Sequence, residues 1–232
     1  MPDAEAGRAA AHRSDPFAPL TSEWLDVSGG HQIYVESSGC AAGIPAVYLH
    51  GGPGSGSQPD HRLFDPERFH AVLFDQRGAG RSRPSRSRDN NTLPDLIADM
   101  EAIREKFGFE RWIVAGGSWG ATLALAYAQA HPDRVTGLVL RATFLGTRAE
   151  VAAAFGETLA RFHPAMHRDF LELLPEAERA DPCDAYFRRI LDPDPAIHGP
   201  AARAWHDTER ALSEIKPGRV RLDRLAVRSG TS

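Results

Sequence analysis

The chain has 232 residues, long enough for one sizeable core with a small second lobe, and its 27 basic against 31 acidic side chains give a net charge of -4, which excludes the strongly positive surface of a nucleic-acid binder. Its two cysteines, Cys40 and Cys183, form neither a metal-ligand spacing nor a disulfide framework, as suits a reducing compartment. No stretch approaches roughly 18 consecutive apolar residues, and the amino-terminal MPDAEAGRAAAHRSD has no apolar h-region. A cytoplasmic protein with no membrane or nucleic-acid partner is therefore expected.

Residues 1–20 read as a loose, Ala-rich extension. EWLDV (23–27) and HQIYVESSG (31–39), joined by SGG, read as a hairpin. IPAVYLH (44–50) and FHAVLFD (69–75) are apolar strands that stop at glycine-rich loops, HGGPGSG and DQRGAGRS. The arginines of RSRPSRSR (81–88) read as a solvated loop. A helix follows Thr92, its N-cap: Asp95 stands at the capping-box position, Leu93, Leu96, Ile97, Met100, Ile103 and Phe107 share one face, and Gly108 closes it. RWIVAG (111–116) is a strand, residues 119–130 a helix and VTGLVL (135–140) a strand. Strands and helices alternating through short turns predict a mostly parallel sheet with helices on both faces. From residue 147 the periodicity is helical and is broken by Pro164, Pro175, Pro182, Pro193, Pro195 and Pro200, as in an inserted set of short helices.

Chemistry in a parallel sheet gathers at the carboxyl ends of its strands. There, Gly116-Gly117-Ser118-Trp119-Gly120 stands between a strand and a helix, the setting of a nucleophile elbow. The turn lifts the Ser118 hydroxyl above the sheet at the positive end of a helix. In HGGPGSG the glycines let the backbone approach a bound carbonyl, making Gly52 and the Trp119 amide a natural pair of oxyanion donors. Neither a phosphate-binding GxxxxGK[ST] nor a dinucleotide-binding GxGxxG after the first parallel strand occurs, which weighs against a phosphate cradle and a nicotinamide cofactor. Asp75 and Arg77 read as residues that hold the DQRG loop by local hydrogen bonds, and His50 as one that shapes the oxyanion loop.

Taken together, HGGPG, DQRGxGxS and GGSWGxTLALxYAQxHP resemble the proline iminopeptidases (prolyl aminopeptidases) of the α/β-hydrolase superfamily, over residues from about 20 to 215. The resemblance implies a serine aminopeptidase that releases N-terminal proline from peptides through a Ser, Asp, His triad and needs no metal or cofactor. It places the nucleophile at Ser118, the oxyanion donors at Gly52 and Trp119, and a helical cap after the strand that follows the nucleophile helix. It further implies that Glu209, in WHDTE (205–209), binds the substrate's free amine; there Thr208 stands where the family carries a second aromatic, which thins the pocket wall. The organisation so implied is an extension over 1–20, the amino-terminal part of the hydrolase core over 21–146, the cap over 147–215 and a short remnant of core over 216–232.

In such a hydrolase the triad acid and histidine follow the serine on later strands. Residues 216–232 contain no histidine, and Asp223 is their one carboxylic acid. His131 lies roughly 18 Å from Ser118 along the helix axis, and His163, His167, His198 and His206 fall in the cap. The expectation is a chain without the carboxyl-terminal strands and helix of the fold, impaired in turnover for want of the triad Asp and His. Another esterase or amidase of the same fold, or a noncatalytic truncated product, are the alternatives.

Overall fold

Alternating burial sets the first part of the structure. The computed structural model describes residues 18–213. Six strands, β1 (Pro19–Val27), β2 (His31–Gly39), β3 (Ile44–Leu49), β4 (Phe69–Phe74), β5 (Trp112–Gly117) and β6 (Val135–Arg141), form one sheet in the order β1-β2-β4-β3-β5-β6. β1 and β2 are antiparallel, β2 pairs antiparallel with β4, and β4, β3, β5 and β6 run parallel. β1 starts at Pro19, inside the stretch expected to be a loose extension to residue 20, because its first residues pair with Ser38 and Ser37 of β2.

Register places Val47 beside Val72 and Val114, and Tyr48 beside Leu73 and Ala115. Successive side chains point to opposite faces, so the two rows belong to different layers. On the first face, Val47, Leu49, Val72, Phe74 and Val114 pack with Leu96, Met100 and Ile103 of helix α1 (Leu93–Lys106) and with Leu123, Ala124 and Tyr127 of helix α2 (Trp119–Ala130). On the second, Tyr48, Leu73 and Ala115 pack with Phe64. The sequence predicts helices on both faces, but among the described residues the β3–β4 connection carries a single 3-10 turn, Pro59–His61, since glycines and prolines interrupt it. At the β6 end of the described sheet, Leu138 and Val139 are exposed.

α1 begins as its sequence predicts: the Asp95 carboxylate accepts from the Thr92 N–H at 3.0 Å and the Thr92 hydroxyl at 2.6 Å. Its inner face also carries Asp99, which is 1% exposed and meets Arg77 bidentately, with both N–O distances 2.7 Å. Arg77 donates further to the Asn90 carbonyl at 2.6 Å and the Ser28 hydroxyl at 2.8 Å. Arg77 thus ties its loop to α1 and to the β1–β2 turn, a longer-range role than the local bonds expected of it.

The described chain divides into two compact units, the second beginning at Gly146. The second is all helix: α3 (Arg148–Ala153), α4 (Leu159–Phe162), α5 (Pro164–Glu172), α6 (Pro182–Ile190) and α7 (Pro195–Ser213). A π-helical stretch, Ala154–Thr158, joins α3 to α4 and buries Phe155, whose ring stacks on Trp205 of α7 at 3.9 Å. Phe170 stacks on Tyr186 at 4.2 Å, and the Tyr186 hydroxyl donates to the Phe170 carbonyl at 2.9 Å. The expected remnant over 216–232, with Asp223, lies outside the described residues.

Removing one partner of a buried bidentate pair strands the other charge. Asp99→Leu and Arg77→Met are each expected to cost about 3–5 kcal/mol, while the double variant Arg77→Met/Asp99→Leu costs less than these two summed. Urea unfolding of the four chains checks this, and additive costs would contradict a coupled pair.

Candidate active site

β3 lies between β4 and β5 in the sheet, and the three are parallel, so their carboxyl ends stand side by side. From these ends spring the loops that begin at His50, Asp75 and Ser118. Sterics explain the glycines around Ser118. A Cβ on Gly120 would collide with the Leu49 carbonyl, and one on Gly116 with the Gly120 carbonyl. The first turn of α2 thus lies directly on the end of β3, which any larger residue at either position would prevent. Compressed between them, Ser118 adopts φ 55° and ψ -121°, in the left-handed region that side chains other than glycine rarely enter. Its N–H donates to the Arg141 carbonyl at 3.1 Å, its carbonyl accepts from Ala121 and Thr122, and its side chain is left exposed at the turn.

The oxyanion loop lies against this turn: a Cβ on Gly51 would fall 2.8 Å from the Gly117 carbonyl and 3.3 Å from Ser118 Cβ. Gly52 itself closes a tight turn in which its carbonyl accepts from Gly54. Among the described residues, the N–H groups of Gly52 and Trp119 have no acceptor, and Trp119 opens α2, where a helical partner is impossible.

A buried polar chain joins the three loops. The Gln76 N–H donates to His50 Nε2 at 3.0 Å, the Gln76 side-chain amide donates to the His50 carbonyl at 2.9 Å, and the Gln76 side-chain oxygen accepts from the Trp119 indole at 2.9 Å. With Nε2 an acceptor, the proton of His50 lies on Nδ1 and is donated to the Gly51 carbonyl at 3.0 Å. Burial lowers the pKa of His50 below its ordinary value, against the pull of Gly51 and Asp75. Both ring nitrogens are engaged and the imidazole is neutral, so His50 holds the loop. Gln76, which motif reading passed over between Asp75 and Arg77, is the hinge of this chain.

Beside it Asp75 accepts from the Ser57 N–H at 2.6 Å, the Arg81 N–H at 2.8 Å and the Arg81 side chain at 2.8 and 3.1 Å. Burial pushes its carboxyl up, but these donors outweigh burial and hold its pKa below the usual value. Arg81 also reaches Glu36 at 3.4 Å and lies over the Tyr34 ring at 3.7 Å, so the basic loop is anchored at its first residue rather than solvated throughout. Among the described residues, no three His, Cys, Asp or Glu side chains are grouped to hold a metal ion.

Ser118, Gly52 and Trp119 are thus brought together in the first unit. Glu209 belongs to the second, exposed on α7. Thr208, expected to form a thinned pocket wall, is wholly buried in this helical unit and donates to the Ala204 carbonyl at 2.8 Å.

A serine raised at a strand-to-helix turn on the carboxyl edge of parallel strands, beside a glycine-rich loop, defines the class as an α/β hydrolase, and the profile of the alpha/beta hydrolase fold matches residues 45–183. The chain is 46% identical over 204 residues to the proline iminopeptidase of Arabidopsis thaliana, covering 87% of this chain and 54% of that one. It is 44% identical over 212 residues to the proline iminopeptidase of Neisseria meningitidis serogroup A, covering 90% and 68%. Among solved structures it is similar to a proline iminopeptidase-related protein from Thermus thermophilus, with TM-score 0.51, 25% identity, and coverage of 83% of this chain and 66% of that one. The chain belongs to the proline iminopeptidase family of the α/β-hydrolase superfamily. It spans about half the length of its Arabidopsis relative.

The neutral His50 yields a pH prediction. Unfolded, this side chain takes a proton near 6.5, and folded it takes one only at lower pH. Its contribution is complete above the unfolded value and is lost as pH falls toward the folded one. Between about pH 7 and about pH 5, the urea midpoint is expected to fall more steeply in the parent than in His50→Asn. Equal slopes would contradict the assignment.

Proposed function

We propose that this family member is a serine aminopeptidase that releases an N-terminal proline from peptides, with Ser118 as nucleophile, Gly52 and Trp119 as oxyanion donors and Glu209 as the anchor of the substrate amine. The observation that carries the reading is the left-handed Ser118, exposed beside two N–H groups that have no acceptor among the described residues. The family membership supplies the substrate class.

Ser118 Oγ attacks the carbonyl carbon of the proline residue. As the C–O bond forms, the carbonyl oxygen takes negative charge, which the N–H groups of Gly52 and Trp119 stabilise. The C–N bond then breaks, the following peptide leaves as an amine with a proton, and water releases proline from the ester. The Ser118 proton passes to a base, and His50, with both nitrogens committed, is not that base. At the substrate's other end a protonated imino nitrogen pairs with a carboxylate. Glu209 has no cationic partner among the described residues, which suits that role. The free Cys40 and Cys183 accord with a cytoplasmic location, and among the described residues no helix is long and apolar enough to cross a membrane.

Hydrolysis of prolyl-naphthylamide and its N-acetylated form tests the reading. The free-amine substrate is expected to be preferred, Ser118→Ala to abolish whatever rate the parent shows above the uncatalysed reaction, and Glu209→Gln to raise KM more than it lowers kcat. Equal rates on both substrates would point instead to an esterase or amidase. A rate that Ser118→Ala leaves unchanged would point to a noncatalytic protein.

A further inference from the structure

Next to Ser118, on the Trp119 side, the first unit contains a cavity of about 470 Å³. Pro53 of the oxyanion loop, Trp119, and Leu93 and Leu96 of α1 supply its apolar lining. Its charged lining consists of three arginines, Arg77, Arg86 and Arg88, with no acid. Arg77 is spent on Asp99. Arg86 and Arg88 are exposed and have no carboxylate partner among the described residues; Ser87 stands between them, and its hydroxyl faces Asp89, the residue after Arg88, at 3.5 Å.

The segment that carries these two guanidinium groups is fixed in place. The Arg86 N–H donates to the Gly78 carbonyl at 2.8 Å, the Asn91 amide donates to the Arg77 carbonyl at 3.0 Å, and the Asp89 carbonyl is bonded to His31 Nε2 at 2.8 Å. Gly78 lies so close that a Cβ there would collide with the Ser87 carbonyl. Arg86 itself has φ 61°, a backbone geometry that favours glycine or asparagine, yet the position carries a long cation. Two arginines on a fixed backbone, without a carboxylate partner among the described residues, thus border a partly apolar cavity that shares Trp119 and the oxyanion loop with the reaction centre.

We infer that this cavity is the subsite for the departing side of the substrate, and that Arg86 and Arg88 bind the C-terminal carboxylate of a short peptide whose N-terminal residue is held at Ser118. The inference rests on the peptidase reading and names the chemistry at the end of the substrate opposite the amine. Each residue after the scissile bond extends the peptide by about 3.4 Å, so the carboxylate of a di- or tripeptide arrives within a cavity of this size, whereas that of a long polypeptide lies beyond it. Guanidinium groups suit a carboxylate through paired N–H donors, and Trp119, Pro53, Leu93 and Leu96 suit an apolar side chain between the two ends.

Calorimetric titration of the full chain, carrying Ser118→Ala to prevent turnover, with Pro-Gly-Gly and with Pro-Gly-Gly-amide tests the subsite. At low salt the acid is expected to bind about three- to tenfold more tightly than the amide. Arg86→Gln/Arg88→Gln is expected to abolish that preference, leaving amide binding and the urea midpoint unchanged, since neither side chain has an ion-pair partner among the described residues. Equal binding of acid and amide, or a preference that survives the double variant, would overturn the subsite alone. Binding of neither peptide would overturn it together with the peptidase reading.

Discussion

The first unit is organised by one close approach: the opening turn of α2 rests on the end of β3, with Gly120 against the Leu49 carbonyl and Gly116 against Gly120. No side chain fits in either gap, so the chain between the glycines must bend sharply, and Ser118 takes the left-handed geometry at a cost of about 1–3 kcal/mol. The surroundings offset that cost. β5 is paired on both sides, by β3 and β6, and α2 buries Leu123, Ala124 and Tyr127 against the sheet. A strained serine persists because the elements that flank it have nowhere else to go.

A bent serine alone does not make a reaction centre, since the donors that face it come from separate loops. Here polar bonds replace the side-chain packing that glycine loops cannot supply. His50, Gln76 and Trp119 connect the ends of β3, β4 and β5, and Asp75 gathers Ser57 and Arg81 one step away. These groups are almost wholly buried apart from Trp119 and Arg81, so each bond is made in a medium where leaving it unmade is expensive. The Arg77–Asp99 pair extends the framework to α1 and so fixes the wall that carries Arg86 and Arg88.

What could be read from the sequence was whatever sterics or periodicity dictates locally. The β1–β2 hairpin, the apolar strands, the start of α1 and the strand-turn-helix around Ser118 each follow from residues within a few positions of one another. Long-range polar partners do not. Arg77 finds its acid 22 residues on, and the available signal was Asp99 itself, an acid set among Leu96, Met100 and Ile103 on an apolar stripe. Gln76 escaped notice because an uncharged amide between Asp75 and Arg77 carries no pattern, though its position beside a strand end made it a candidate. The π-helical turn at Ala154–Thr158 and the burial of Thr208 depend on how the short helices pack, which periodicity broken by proline does not specify. The β3–β4 connection was legible as irregular, yet its covering of the second sheet face by Phe64 was not.

The central claim is that the elbow aims Ser118 at a carbonyl whose oxygen meets Gly52 and Trp119. A crystal structure of the chain after treatment with a fluorophosphonate tests it most directly. The account predicts a covalent bond from Ser118 Oγ to phosphorus, with the phosphoryl oxygen within about 3 Å of both N–H groups. An adduct on another residue, or a phosphoryl oxygen turned away from Gly52 and Trp119, would contradict it.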